Sequence, residues 1–188
     1  MKQHVLIKQM SKRELRFQLF FSQGFILLLT IILSFLFFDS FFEWFLLFEW
    51  DISEILIYGG LSGVLIVVIE LVLIRITPKR YWDDGGINEA VFRDQPISFI
   101  FVFTFVVAIC EELLFRGVIQ TTFGYIVASI IFAVVHVRYL KKPLLLFIVL
   151  FISFYLGWLY QYTGNLFVPI IMHFFVDFIL GLVIRLKK

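Results

Sequence analysis

Apolar residues along this chain fall into blocks about as long as a bilayer is thick, separated by short polar clusters. A hydrocarbon core of about 30 Å needs about 20 apolar residues per helix. Windows of that size lie near residues 17–38, 55–76, 97–123, 125–140, 143–162 and 166–186. They predict an all-α fold, a polytopic transmembrane bundle of about six membrane-spanning helices. The clusters between them alternate in charge. Lys2, Lys8, Lys12, Arg13 and Arg16 precede the first block, and Arg75, Lys79, Arg80 and Arg93 follow the second. Arg138, Lys141 and Lys142 precede the fifth, and Arg185, Lys187 and Lys188 follow the sixth. The loop with Asp39, Glu43, Glu49, Asp51 and Glu54 has no Lys or Arg, and the turns at Gly124 and Thr163–Asn165 are uncharged. Under the positive-inside rule, six crossings with both termini cytoplasmic satisfy every loop.

Composition points the same way. Of 188 residues, 62% are hydrophobic, 16% are charged and 26 are phenylalanine, and mean hydropathy is +1.01. A soluble domain would expose large apolar patches at this composition. The expected setting is therefore the cell membrane, with lipid as the surrounding partner, and the net charge of +2 gives no reason to expect nucleic acid. The basic head before the first block is long for a signal peptide and no small-residue cleavage site follows, so that block reads as a retained span. Residues 77–96, with Pro78, Trp82, Gly85, Gly86 and Pro96, read as an interfacial linker rather than a lid. Trp44, Trp50, Trp82 and Trp158 read as interface markers. One cysteine, Cys110, excludes an internal disulfide and reads as a small buried helix residue. No repeat is evident and a single domain over 1–188 is expected; nothing in the sequence sets an oligomeric state.

The last four blocks contain a short inventory of polar residues that are costly in lipid: Glu111, Glu112, Arg116, His136, His173 and Asp177. Glu112 and Arg116 are four apart, as are His173 and Asp177, so each pair shares a helical face. The first reads as an ion pair that holds Arg116 inside the bundle, leaving Glu111, about 100° around the helix, free for other work. Depth favours a turn at Gly124 over one at Gly117. Glu111 and His136 then both lie about 18–20 Å below the outer turn, and His173 and Asp177 about 14 and 20 Å below theirs. A carboxylate in such a layer can take a proton from water, and imidazoles can orient that water, hold a divalent cation or stabilise an oxyanion. Two histidines with a carboxylate are also a zinc ligand set, although the His-Glu-x-x-His helix is absent.

These residues also fall into motifs. Glu111-Glu112-Leu113-Leu114-Phe115-Arg116 resembles a Glu-Glu-x-x-x-Arg motif, Phe132 to His136 a Phe-x-x-x-His motif, and His173 to Asp177 a His-x-x-x-Asn or Asp motif. In that order on successive spans, they resemble the CAAX protease and bacteriocin-processing (CPBP) group of intramembrane endopeptidases, also called Abi proteins, which includes the type II CAAX prenyl proteases. Thr163-Gly164-Asn165-Leu166 with Pro169 is similar to that group's approach to its last motif. The resemblance covers about residues 96–181, so 96–186 reads as a catalytic helix core and 1–95 as variable N-terminal spans with a cytoplasmic loop.

It implies a membrane-embedded, glutamate-dependent endopeptidase acting on a peptide or lipidated protein. Glu111 would be the general base, with His136 positioning the water. His173 and Asp177 would stabilise the oxyanion, or would join Glu111 and His136 in holding one divalent metal, zinc being the best match. Glu112 and Arg116 would support them. Asp177 departs from the Asn common in the prenyl proteases; an ionised acid cannot donate a hydrogen bond, which favours a metal-ligand or His-orienting role. Two other classes fit the residues: a proton-coupled transporter, since buried Glu and His also build proton relays, and a non-enzymatic membrane scaffold or immunity protein.

Overall fold

In a computed structural model, residues 10–187 are described; Lys2, Lys8 and Lys188 of the basic termini lie outside them. The described chain is helical, without strands. Helix α1 (Lys12–Phe37) starts at a capping box, in which the Ser11 hydroxyl accepts from the Glu14 amide and the Glu14 carboxylate accepts from Ser11. A short α2 (Glu43–Leu46) lies in the acidic loop. The second span is α3 (Ile52–Ile76) and the linker contains α4 (Ile87–Phe92). Then come α5 (Ile97–Phe123), α6 (Tyr125–Val135), α7 (Pro143–Thr163) and α8 (Phe167–Leu186).

Among these, α1, α3, α5, α7 and α8 are long and apolar enough to cross a membrane. The fourth expected span, 125–140, is not a full helix. With 11 residues, α6 reaches only about 16 Å, and turns at 137–141 follow it where the rest of a full span was expected. The cause is local. The His136 ring takes the Phe132 carbonyl at 2.7 Å, the acceptor its own amide would need to continue the helix. That amide turns to Ala133 O at 3.3 Å instead, and His136 leaves helical geometry at φ −79°, ψ 50°.

Cross-helix contacts fix the directions. Helices α1 and α5 run parallel, with Arg16 on Gln95 at one end and Phe37 on Phe123 at the other. Helix α8 runs back along α5, carrying Arg185 to the Gln95 carbonyl at 2.8 Å. The end with Arg16, Arg138 and Arg185 is the basic end, the one that the positive-inside rule assigns to the cytoplasmic face. Helix α3 runs parallel to α8 and packs through Gly59 and Gly63, whose missing Cβ atoms would lie 3.0 Å from Val168 O and 2.8 Å from Met172 O. That close approach is a small-xxx-small contact of the kind that joins helices in lipid. At the outer end, buried Asn165 donates to Glu49 O at 2.7 Å and Leu166 donates to Leu47 O at 2.7 Å, docking the acidic loop onto the α7–α8 turn. The turn at Gly124 (φ 88°) ends α5 where depth required it. It sits deeper than the α7–α8 turn, since Tyr125 packs on Gly157 and donates to Phe154 O at 2.9 Å, about 9 Å short of the end of α7.

The linker 77–96 is built rather than slack. The Asp84 carboxylate accepts from the amides of Gly86, Ile87 and Asn88, starting α4, which buries Ile87 and Val91. Arg138 donates to Asn88 at 2.9 Å, joining this linker to the 136–142 turns at the cytoplasmic face.

Candidate active site

Four helices converge below Arg116. That guanidinium is fully buried and donates to Glu112 Oε1 at 3.0 Å and to Ser153 O at 2.8 Å, while lying 4.5 Å from the centre of the Phe132 ring. The Ser153 hydroxyl passes the chain on to Ser129 O at 2.9 Å. The ion pair expected from spacing is therefore present and also ties α5 to α6 and α7. Helix α5 widens into a π-helical stretch, Leu113–Gln120, directly after the glutamate pair. Such segments occur often at functional sites.

Glu112 does more than neutralise Arg116. Its Oε1 also meets His173 Nδ1 at 2.7 Å. A carboxylate paired with Arg116 accepts, so His173 carries its proton on Nδ1 and turns Nε2 toward Asp177, whose Oδ2 lies 3.6 Å away, just beyond a direct hydrogen bond. The side chain of Asp177 is 34% exposed. The same reasoning fixes His136: a carbonyl only accepts, so Nδ1 donates to Phe132 O and Nε2 of the neutral ring keeps its lone pair. Phe132 lies between the two imidazoles, 4.8 Å from the His136 ring and 5.9 Å from the His173 ring.

Glu111 lies within electrostatic reach of His173, His136, Asp177 and Glu112. Its buried Oε2 has no hydrogen-bond partner among the described residues. Glu111, His136, His173 and Asp177 all line one cavity of about 530 Å³, which extends to Lys79, Asp83, Asn88, Arg138 and Lys187 at the cytoplasmic face. Among the described residues, no three His, Cys, Asp or Glu side chains form a group able to hold a metal ion.

Two cavity residues escaped the sequence reading. Glu70 on α3 and Gln23 on α1 are buried, line the same cavity and each carry a side-chain oxygen without a partner among the described residues. The signal was an acid or amide inside an otherwise apolar block, in the two spans where the motifs are absent.

A family model described as "Rce1-like: Type II CAAX prenyl endopeptidase Rce1-like" matches residues 93–179. The uncharacterized protein YpbD of Bacillus subtilis (strain 168) is 43% identical over 140 residues, covering 73% of this chain and 74% of the relative. The chain belongs to the Rce1-like family. It is a multi-pass membrane protein of the CAAX-type intramembrane protease class. No solved structure is significantly similar. The Rce1-like region begins just before α5 and ends within α8, so it holds all six motif residues and leaves out α1 and α3.

Proposed function

We propose that the protein hydrolyses a peptide bond in a membrane-associated protein or peptide, in CAAX-type or related processing, and that Glu111 is the base. Glu111 takes a proton from water as the water oxygen attacks the scissile carbonyl. The proton then passes to the nitrogen as the C–N bond breaks, leaving a carboxylic acid and an amine. The His136 lone pair holds the second water hydrogen. With a second proton on Nε2, beside the Nδ1 proton held by Glu112, the His173 imidazolium directs Nε2–H to the oxyanion while Glu112 and Asp177 balance its charge. Arg116 and Glu112 act as positioning residues that fix His173 against α5.

The observation that carries this reading is the meeting of Glu111, His136, His173 and Asp177 on the wall of one cavity that extends to the basic end of the bundle, at Lys79, Arg138 and Lys187. No step is assigned to a metal, because no three-ligand group is assembled among the described residues. The test is hydrolysis of a membrane-anchored reporter peptide by reconstituted protein. Glu111→Gln is expected to lower the rate by roughly 10²–10⁴-fold with unchanged thermal unfolding. Wild-type rates in that variant remove Glu111 as the base. Metal analysis belongs beside it: one bound zinc, lost in His136→Ala, reassigns both imidazoles from water and oxyanion to metal ligation.

A further inference from the structure

Glu70 is an ionisable side chain that the chemistry above does not use. It lies on α3, one of the two spans outside the family region. It is 6% exposed, and its Oε1 is buried without a partner among the described residues. Its depth follows from the packing of two parallel helices: Gly63 lies against Met172, Glu70 is seven residues further along α3, and Asp177 is five further along α8. The two carboxylates therefore differ in depth by only about 3 Å.

Glu70 also belongs to a second, apolar cavity of about 250 Å³ between α3 and α7. The two cavities share Glu70, Ile148 and Ile152. Ile69, Phe147 and Phe151 line the second one and are exposed on the surface that faces lipid. The apolar cavity is thus a groove that reaches the lipid-facing surface and adjoins the candidate catalytic cavity, and among the described residues Glu70 is the ionisable side chain on its wall. A chain segment in that groove meets lipid-like walls apart from Glu70, so an N–H that is not satisfied within the segment has the Glu70 carboxylate as its acceptor.

We propose that the α3–α7 groove is the lateral entrance for a membrane-borne peptide, and that Glu70 is a substrate-binding residue at its inner end, accepting a hydrogen bond from an N–H of that peptide. The donor is a backbone amide or a lysine ammonium, two sources of one chemistry. This assignment rests on the protease reading of the neighbouring site. It makes a span outside the family region part of substrate selection.

The experiment measures binding separately from turnover. Proteins carrying Glu111→Gln, alone or with Glu70→Leu or Glu70→Gln, are reconstituted in phosphatidylcholine–phosphatidylglycerol vesicles. They are titrated with a labelled apolar peptide of about 20 residues containing one lysine. Glu70→Leu is expected to weaken binding about tenfold or more; Glu70→Gln, which keeps an acceptor oxygen but not the charge, recovers most of the loss for a backbone amide donor and part of it for an ammonium. Single N-methylation of the peptide identifies a backbone donor, and lysine→norleucine identifies an ammonium. The effective change should weaken binding to the Glu70 protein and leave binding to the Glu70→Leu protein unaltered. Equal affinity in all three proteins, or no binding by the protein that retains Glu70, overturns the assignment. So does a Glu70→Leu protein that unfolds earlier together with a Glu70→Gln protein that binds no better, since those mark a packing residue. If the protein with Glu111 intact hydrolyses none of these peptides, the protease reading fails, and the binding data still decide Glu70.

Discussion

Arg116 is the most demanding side chain in the bundle, and its surroundings answer it group by group. Glu112 supplies the counter-charge, Ser153 two oxygens and Phe132 a ring face. Removing one member of a buried pair leaves the other uncompensated, so Arg116→Ala should cost about 3–5 kcal/mol. Arg116→Met with Glu112→Gln should cost less than the two single changes combined; denaturant unfolding in detergent gives that double-mutant cycle. Lysine cannot stand in, because one ammonium lacks the fork that reaches Glu112 and Ser153 together. The i,i+4 spacing made two polar pairs readable within their own helices. What it does not encode is the partner on another helix, and so Glu112 was read as the mate of Arg116 alone while the structure also places His173 on it.

At the level of elements, glycine sets how closely helices can approach where lipid offers no hydrophobic drive. A Cβ at Gly63 would stand 2.8 Å from Met172 O and 2.9 Å from Phe175 Cβ, forcing α3 away from the helix that carries His173. Gly63→Val should therefore destabilise by about 1–3 kcal/mol and reduce hydrolysis. Gly24→Ala, with nothing within 4 Å of the added atom, should be neutral or stabilise by up to about 1 kcal/mol. Thermal unfolding of the two variants separates tight packing from helix propensity. Helix lengths were legible because they are set by bilayer thickness, and α5 ends at Phe123 as depth required. Helix α6 was not, since 125–140 is apolar enough to continue. It stops because one imidazole outcompetes a backbone amide for the Phe132 carbonyl, a contest that composition does not record.

Over the whole molecule the motif residues lie on α5, at the end of α6 and on α8, within the matched region 93–179. The first spans flank that core: Phe20 of α1 packs edge-on against Phe99 and Phe103, and Glu70 of α3 lines the cavity. The first spans carry no motif, and the two cavity oxygens they supply, on Gln23 and Glu70, sit in blocks that are otherwise apolar. A single acid in a transparently apolar block was the clue they offered.

The Arg116–Ser153 bond also constrains the order in which the protein can be made. Thirty-seven residues separate the two partners, so a ribosome has finished α5 well before the oxygens that receive its guanidinium exist. Until α7 is synthesised, α5 has its internal Glu112–Arg116 pair but not the Ser153 oxygens that take the second arm of the guanidinium, and Glu111 has no partner on another helix, so the insertion machinery must hold it or release it incompletely. Chains truncated after Phe123 should therefore show α5 less well integrated in a glycosylation-mapping assay than chains extended past Thr163, and replacing the pair together, Glu112→Leu with Arg116→Leu, should narrow the difference.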